Sequence, residues 1–193
     1  MAASTKVVTG KVRLSYAHVF EPQSNSFNTD AKPKYSTVIL IPKTDKKTLA
    51  AIKAAQKEAL EQGKSTKFKG VIPKNWTNTL HDGDEEADLE KNPEYAGHYY
   101  MTVSNLQKPG IVGKDLLPIM DQSEVYSGMY VNAAVQFYFY SNSGNVGVAA
   151  ALTGIQKVRD GEHLGAEPTA VEDVFSAIGT QPGVNAPSAN LGF

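Results

Sequence analysis

The sequence predicts a mainly β protein with one or two helices, an α+β domain, from two kinds of pattern. Five segments alternate between apolar and polar residues or are rich in β-branched and aromatic residues, as strands are. One segment carries apolar residues at helical spacing between a capping residue and a glycine. The 193-residue chain is 41% hydrophobic and 20% charged, which is ordinary for a globular domain with a sizeable core.

The predicted strands cover residues 7–16, 34–41, 99–104, 130–140 and 146–152. In the first, the alternation points Val8 and Val12 inward and Lys11 and Arg13 outward. The second is a β-branched and aromatic run that Pro42 stops. The first strand therefore carries two cations on its outer face, and Lys32 and Lys34 flank the loop that leads into the second.

The fourth and fifth strands read as a hairpin joined by the turn at residues 141–145. Phe137 falls on the inward face of the fourth strand, and Tyr138 and Tyr140 fall on the other. The matching face of the fifth strand carries only small residues, from Gly147 to Ala151. Small residues let a ligand or another backbone approach the sheet closely.

A helix is predicted from a cap at Thr44 or Asp45 to about residue 62, ended by Gly63. Residues 63–98 have no regular period: a basic stretch leads to Trp76, and an acidic stretch follows. After Gly165 the chain loses periodicity. We therefore expect a folded domain over residues 1–166 and a flexible tail over residues 167–193.

Charge divides the chain into two halves. Residues 1–80 hold 14 Lys and Arg against 5 Asp and Glu, whereas residues 81–193 hold 5 against 15. The basic half suits an anionic partner, although lysines that coat a helix would give the same count. The absence of cysteine excludes disulfides and thiolate sites, and no apolar run is long enough to span a membrane.

Four segments, in order, resemble a phage protein family first catalogued as a domain of unknown function and now understood as single-stranded-DNA-binding proteins. The segments, which together span roughly residues 6–165, are Gly10-Lys11-Val12-Arg13 with residues 16–22, Lys34-Tyr35-Ser36 with residues 39–43, His81-Asp82-Gly83-Asp84, and residues 156–162. The resemblance implies an OB-fold, here a five-stranded antiparallel barrel with insertions, similar to the podoviral single-strand-binding proteins. It also implies sequence-independent binding of single-stranded DNA in phage replication or recombination.

Binding of this kind needs cations for phosphates and aromatic faces for bases. Each candidate also has a structural alternative: a solvated strand edge for the early cations, cross-strand packing for the tyrosines, a lid on the barrel for the tryptophan, and pairing with Asp160 or Glu162 for the two cations that follow the last predicted strand. The candidate DNA-binding residues are Lys11, Arg13, Lys32, Lys34, Trp76, Tyr138, Tyr140, Lys157 and Arg159.

No catalytic or metal site is predicted. The carboxylates between Asp82 and Asp88 are close in sequence in one loop, whereas two-metal chemistry needs carboxylates that converge from separate elements. The four histidines lack ligand spacing, and no phosphate loop or nucleophile elbow occurs. We therefore predict a protein that is not an enzyme and has no cofactor. The alternative is a structural or assembly protein of the virion with a β core.

The expected location is the cytoplasm of the infected bacterial host, without membrane attachment. The tail carries few acids, so we expect it to contact a replication or recombination protein, or a neighbouring subunit, through Val174, Phe175, Ile178 or Phe193. Its deletion should leave the domain folded. Whether the chain forms a homodimer is left open.

Overall fold

The computed structural model describes residues 4–24, 30–67 and 69–165. Strands dominate, and one long helix packs on the sheet. The elements are β1 (Lys6–Val8), β2 (Val12–Gln23), β3 (Lys34–Pro42), α1 (Lys46–Thr66), β4 (His81–Asp82), α2 (Gly83–Glu86), β5 (His98–Asn105), β6 (Gly110–Val112), β7 (Tyr130–Asn142) and β8 (Asn145–Arg159), with 3-10 turns at Pro93–Tyr95 and Gln122–Glu124. The mainly β prediction is confirmed.

The strands join in one sheet of eight, in the order β4-β5-β3-β2-β7-β8-β6, with β1 also paired to β7. The sheet is thus larger than the five-stranded barrel predicted from the resemblance. β5 contacts β8 across the core, where the Asn105 side-chain amide donates to the Leu152 carbonyl at 3.0 Å. The exact five-stranded OB arrangement stays a prediction, as does the boundary between residues 166 and 167, because the tail lies outside the described residues.

The helix α1 begins where the sequence places its cap. The Asp45 side chain accepts from the Thr48 backbone N–H at 3.0 Å, which satisfies one of the helix's unpaired donors. The helix passes Gly63, which is buried, and ends only at Thr66. Its buried face, centred on Ile52 and Ala59, covers the inner side of β7 and β1.

The core lies between α1 and the inner faces of the strands. Phe137 is its largest fully buried side chain, as the alternation in β7 predicts. Burying a side chain of this size stabilises the fold by roughly 2–3 kcal/mol. The β7–β8 hairpin turns at Ser143 and Gly144, whose φ angles of 49° and 87° are the left-handed pair that a tight two-residue turn needs.

Two strand predictions are wrong in detail. The first predicted strand is really two, because the chain bends at Gly10, and Val8 is consequently 73% exposed rather than inward. The last strand runs to Arg159 instead of stopping near residue 152. Lys157 and Arg159 therefore lie in β8 and do not follow it.

Candidate nucleic-acid interface

Three cations lie around the ring of Tyr130, the first residue of β7: Lys11 in the bend before β2, Arg13 in β2 and Arg159 at the end of β8. The Arg159 guanidinium carbon lies 3.9 Å from the ring centroid, that of Arg13 lies 5.6 Å away, and the Lys11 ammonium lies 5.7 Å away. Strand register explains the arrangement, since Tyr130 is paired with Arg13 on one side and with Arg159 on the other. We call these four residues the cation cluster.

The members of the cluster differ in how firmly they are held. The Arg13 side chain donates from Nε to the Gly128 carbonyl at 3.0 Å and from Nη2 to the Glu162 carbonyl at 2.8 Å. Its guanidinium is therefore fixed, while other N–H groups stay available to an anion. Lys11 and Arg159 are exposed. The cluster thus combines one cation that hydrogen bonds hold in place with two exposed ones around an aromatic face.

Lys157 contributes to the fold beside the cluster. Its ammonium lies 2.9 Å from the Glu124 carbonyl and 2.9 Å from an Asp160 carboxylate oxygen, and its side chain is only 17% exposed. The hydrogen bond from Lys157, followed by that from the Tyr126 hydroxyl, lowers the pKa of Asp160 below its usual range. The pairing with Asp160 that the sequence left open is present.

A half-buried strip runs from the cluster along the outer face of β7. Residues 131, 133, 135 and 137 of the strand are buried, so the even-numbered residues from Tyr130 to Tyr140 face outward. Opposite them, β8 presents small residues, among them Ala149 and Ala151. On the other side β1 places Lys6 next to Gln136. We call this surface the β7 strip; its length from Tyr130 to Tyr138 is about 26 Å at ~3.3 Å per residue.

The two predicted tyrosines lie at the far end of the strip. Tyr138 is 43% exposed, so much of its ring is open to solvent. Tyr140 lies across from Gly147, where an added Cβ would come within 2.8 Å of the tyrosine hydroxyl. Thr77 pairs with the same glycine through two backbone hydrogen bonds to residues 146 and 148, so another backbone uses part of the small-residue face.

The remaining predicted residues lie elsewhere. Trp76 is partly buried against the core, a position that fits the lid alternative, and its contact with DNA stays a prediction. Lys32 and Lys34 are exposed near the other end of β2, since Lys34 pairs with Gln23 whereas Arg13 pairs with Leu40. The structure therefore joins Lys11, Arg13 and Arg159 at one site and leaves Lys32 and Lys34 apart from it.

Sequence reasoning missed Tyr130 and Lys6. Tyr130 begins a strand, and in the sequence it looks like any other residue on the outer face of that strand. Its place in the cluster depends on its pairing with Arg13, which is more than a hundred residues away in the chain. Lys6 precedes the bend at Gly10, which reverses the facing of β1 relative to β2. Strand alternation gives Lys6, Val8 and Gly10 the same facing in the sequence. The sequence pattern does not predict the bend at Gly10, so it does not predict that this facing is outward.

The acidic loop is organised by an ion pair. Lys43 lies 2.5 Å from an Asp82 oxygen and 2.8 Å from an Asp84 oxygen, and these hydrogen bonds lower the pKa of both carboxyl groups. Within the described ranges, no three His, Asp or Glu side chains form a group that could hold a metal ion. In that same part of the chain, no helix is both long and apolar enough to cross a membrane.

Comparison with known proteins gives consistent matches. A family described as the ssDNA-binding protein of Enterobacter phage Enc34 matches residues 5–183. A curated protein, p50 of Acyrthosiphon pisum secondary endosymbiont phage 1, is 34% identical over 163 residues, which are 81% of this chain and 85% of that protein.

Solved structures share the fold. The single-stranded-DNA-binding protein of bacteriophage Enc34, solved in complex with ssDNA, has a TM-score of 0.68 at 23% identity and covers 83% of this chain and 88% of its own. The single-stranded DNA binding protein gp2.5 of bacteriophage T7 has a TM-score of 0.59 at 12% identity, with 83% and 94% covered. The sequence match over nearly the whole chain and the shared fold agree, and the chain belongs to the family of the single-stranded-DNA-binding protein of phage Enc34.

Proposed function

We propose that the protein binds single-stranded DNA without catalysis and largely without regard to sequence, with phosphates at the cation cluster and bases along the β7 strip. The single observation that carries this proposal is the convergence of Lys11, Arg13 and Arg159 on Tyr130. Kinship with the Enc34 protein, whose structure was solved with ssDNA, supports the same ligand.

Charge and shape make the cluster suited to a phosphate. No carboxylate is among the groups that contact Arg159, Lys11 or the Tyr130 ring in the described chain. Arg13 is anchored to carbonyl oxygens, which neutralise none of its charge. An anion therefore meets about three uncompensated positive charges, one of them already fixed in place.

The β7 strip suits bases. Tyr138 offers an exposed aromatic face, and base–aromatic stacking is worth about 1–3 kcal/mol per base. The small side chains of Ala149 and Ala151 leave room for a flat ring beside it. Stacking tolerates every base, so affinity for mixed-sequence strands and for oligo-dT is expected to be similar.

The test is a salt titration of the Lys11→Ala/Arg159→Ala double variant on oligo-dT. Both side chains are exposed, so their removal spares the fold, which circular dichroism can check. Each phosphate contact on single strands contributes about 0.7 to the slope of log K against log salt. The slope should fall by about 1.4 if both residues contact phosphates, and affinity should fall at low salt.

A matched control removes two exposed lysines from the middle of α1, away from the helix start on which Gly10 packs, in the variant Lys53→Ala/Lys57→Ala. This variant carries the same change in charge away from the cluster and should retain the slope. Equal slopes for the two variants would contradict the assignment of the cluster.

In this proposal the protein protects single strands during phage replication or recombination inside the infected bacterial host. It uses no cofactor and has no catalytic role. Lys32, Lys34, Trp76 and Lys157 are not needed for the contacts described here. The alternative of a virion structural protein gains no specific observation from the structure.

A further inference from the structure

An ordered loop between β6 and β7 exposes three large apolar side chains. Met120, Leu116 and Leu117 are 83%, 68% and 64% exposed. Gly113 fixes the loop, since its N–H donates to the Leu117 carbonyl at 2.9 Å and its carbonyl accepts from the Leu116 N–H at 3.2 Å. Leu116 has a φ of 65°, a left-handed conformation that a bulky residue rarely adopts. Apolar side chains held outward on a fixed loop are typical of a contact surface.

The loop forms one wall of a cleft of about 790 Å³, and the end of β8 forms the other. Leu117, Pro118 and Met120 line the loop side, and Arg159 lines the β8 side. Arg159 also belongs to the cation cluster, where its guanidinium covers the Tyr130 ring. The cleft is therefore continuous with the surface to which the proposed function assigns the phosphates.

The charges of the cleft separate it from a phosphate site. Four acidic residues line it against three basic ones, and the ammonium of Lys157 is already engaged by Asp160 and the Glu124 carbonyl. A phosphate would be repelled here and drawn to the cluster instead. An uncharged flat group with apolar faces fits the wall of leucine, proline and methionine, and a nucleobase attached to a phosphate at Arg159 is such a group.

We propose that this cleft is a nucleobase site, in which Leu117 and Met120 contact the face of a base that leaves the stack next to the cation cluster. The inference rests on the proposed function, because the cluster supplies the phosphate anchor.

The test compares oligo-dT with an abasic strand of equal length, which retains the phosphates and lacks the bases. The Leu117→Ser/Met120→Ser variant should bind oligo-dT about fivefold or more weakly than the unchanged protein. Its affinity for the abasic strand and the salt slope on oligo-dT should stay unchanged, because the phosphate contacts remain.

A matched control is Val71→Ser, which removes an apolar side chain that is 71% exposed and does not line the cleft. This variant should bind both strands like the unchanged protein. An equal loss of Leu117→Ser/Met120→Ser on both strands would overturn the base site. Unchanged binding to oligo-dT would also overturn it, and would instead assign the loop to a protein partner or a second copy.

Failure of the inference is distinguishable from failure of the proposed function. If only the cleft is wrongly assigned, the Lys11→Ala/Arg159→Ala variant still loses affinity and salt slope while the loop variant does not. If the function is wrong, the unchanged protein binds neither strand or the cation variant behaves like the unchanged protein.

Discussion

The backbone at Gly128 controls the position of Arg13, and its replacement by alanine should be unusually costly. Gly128 has a φ of 113°, outside the range of L-residues, and a Cβ there would overlap the Glu162 carbonyl. The same carbonyl accepts the Arg13 bond, and the adjacent Leu164 N–H donates to the Ser127 carbonyl at 2.9 Å. The segment around Glu162 must therefore move away.

The size of the effect follows from these contacts. Backbone strain costs about 1–3 kcal/mol, and each of the two hydrogen bonds that the shift breaks is worth about 1 kcal/mol. We expect Gly128→Ala to lower the free energy of unfolding by about 3–5 kcal/mol. Gly144→Ala is the matched control, since Gly144 also has a positive φ, 87°, but nothing lies within 4 Å of its Cβ position. Strain alone should cost the control about 1–2 kcal/mol.

Urea denaturation followed by circular dichroism measures the difference. With a slope of about 2 kcal/mol per molar urea, the midpoint of Gly128→Ala should lie about 1 M below that of Gly144→Ala. Coincident midpoints would refute the reasoning, because the approach of the Glu162 carbonyl would then impose no constraint on Gly128.

Two further predictions concern the region between α1 and β5. Gly147→Ala should displace Thr77, because the carbonyl oxygen of Thr77 would lie 2.6 Å from the new Cβ. The fluorescence emission of Trp76, the single tryptophan, should then shift towards that of an exposed indole. An unchanged emission spectrum would show that the segment around Thr77 stays in place on β8. Lys43→Ala should lower the melting temperature most above about pH 5. Asp82 and Asp84 have lowered pKa values, so the stability that their ion pairs with Lys43 contribute is lost as pH falls through those values. A difference in melting temperature between the variant and the unchanged protein that persists undiminished at about pH 2 would count against the ion pair.

The local sequence pattern was enough to predict those elements whose own residues determine which side faces the core. The strand from Lys34 to Pro42, β7 and the turn of the β7–β8 hairpin follow the sequence prediction closely, since burial on one or both faces leaves few alternatives. The helix cap at Asp45 was equally local. The end of the helix was not predicted locally: Gly63 is buried within α1, and the helix continues past it to Thr66.

The site could be predicted only in part, because it depends on pairings between distant segments. Lys11, Arg13 and Arg159 were identified from their positions in the chain together with the family resemblance, but nothing local brings Arg159 to Tyr130. The prediction that Val8 faces inward also failed because of a tertiary contact. Gly10 packs on the start of α1, where its N–H donates to the Thr48 hydroxyl at 2.8 Å, and the strand restarts beyond it with a new register.

The pairing of both β1 and the start of β2 with β7 has a consequence for biosynthesis. β1 and β2 are synthesised well before β7, the strand with which both of them pair. Contacts at such separations form slowly, because the entropy of closing the intervening loop is lost before the contacts contribute any stability. β1 therefore has no partner on β7 until the chain has been synthesised past residue 136, and Arg13 has no aromatic neighbour until Tyr130 emerges. Folding of this domain is therefore expected to wait for the synthesis of β7.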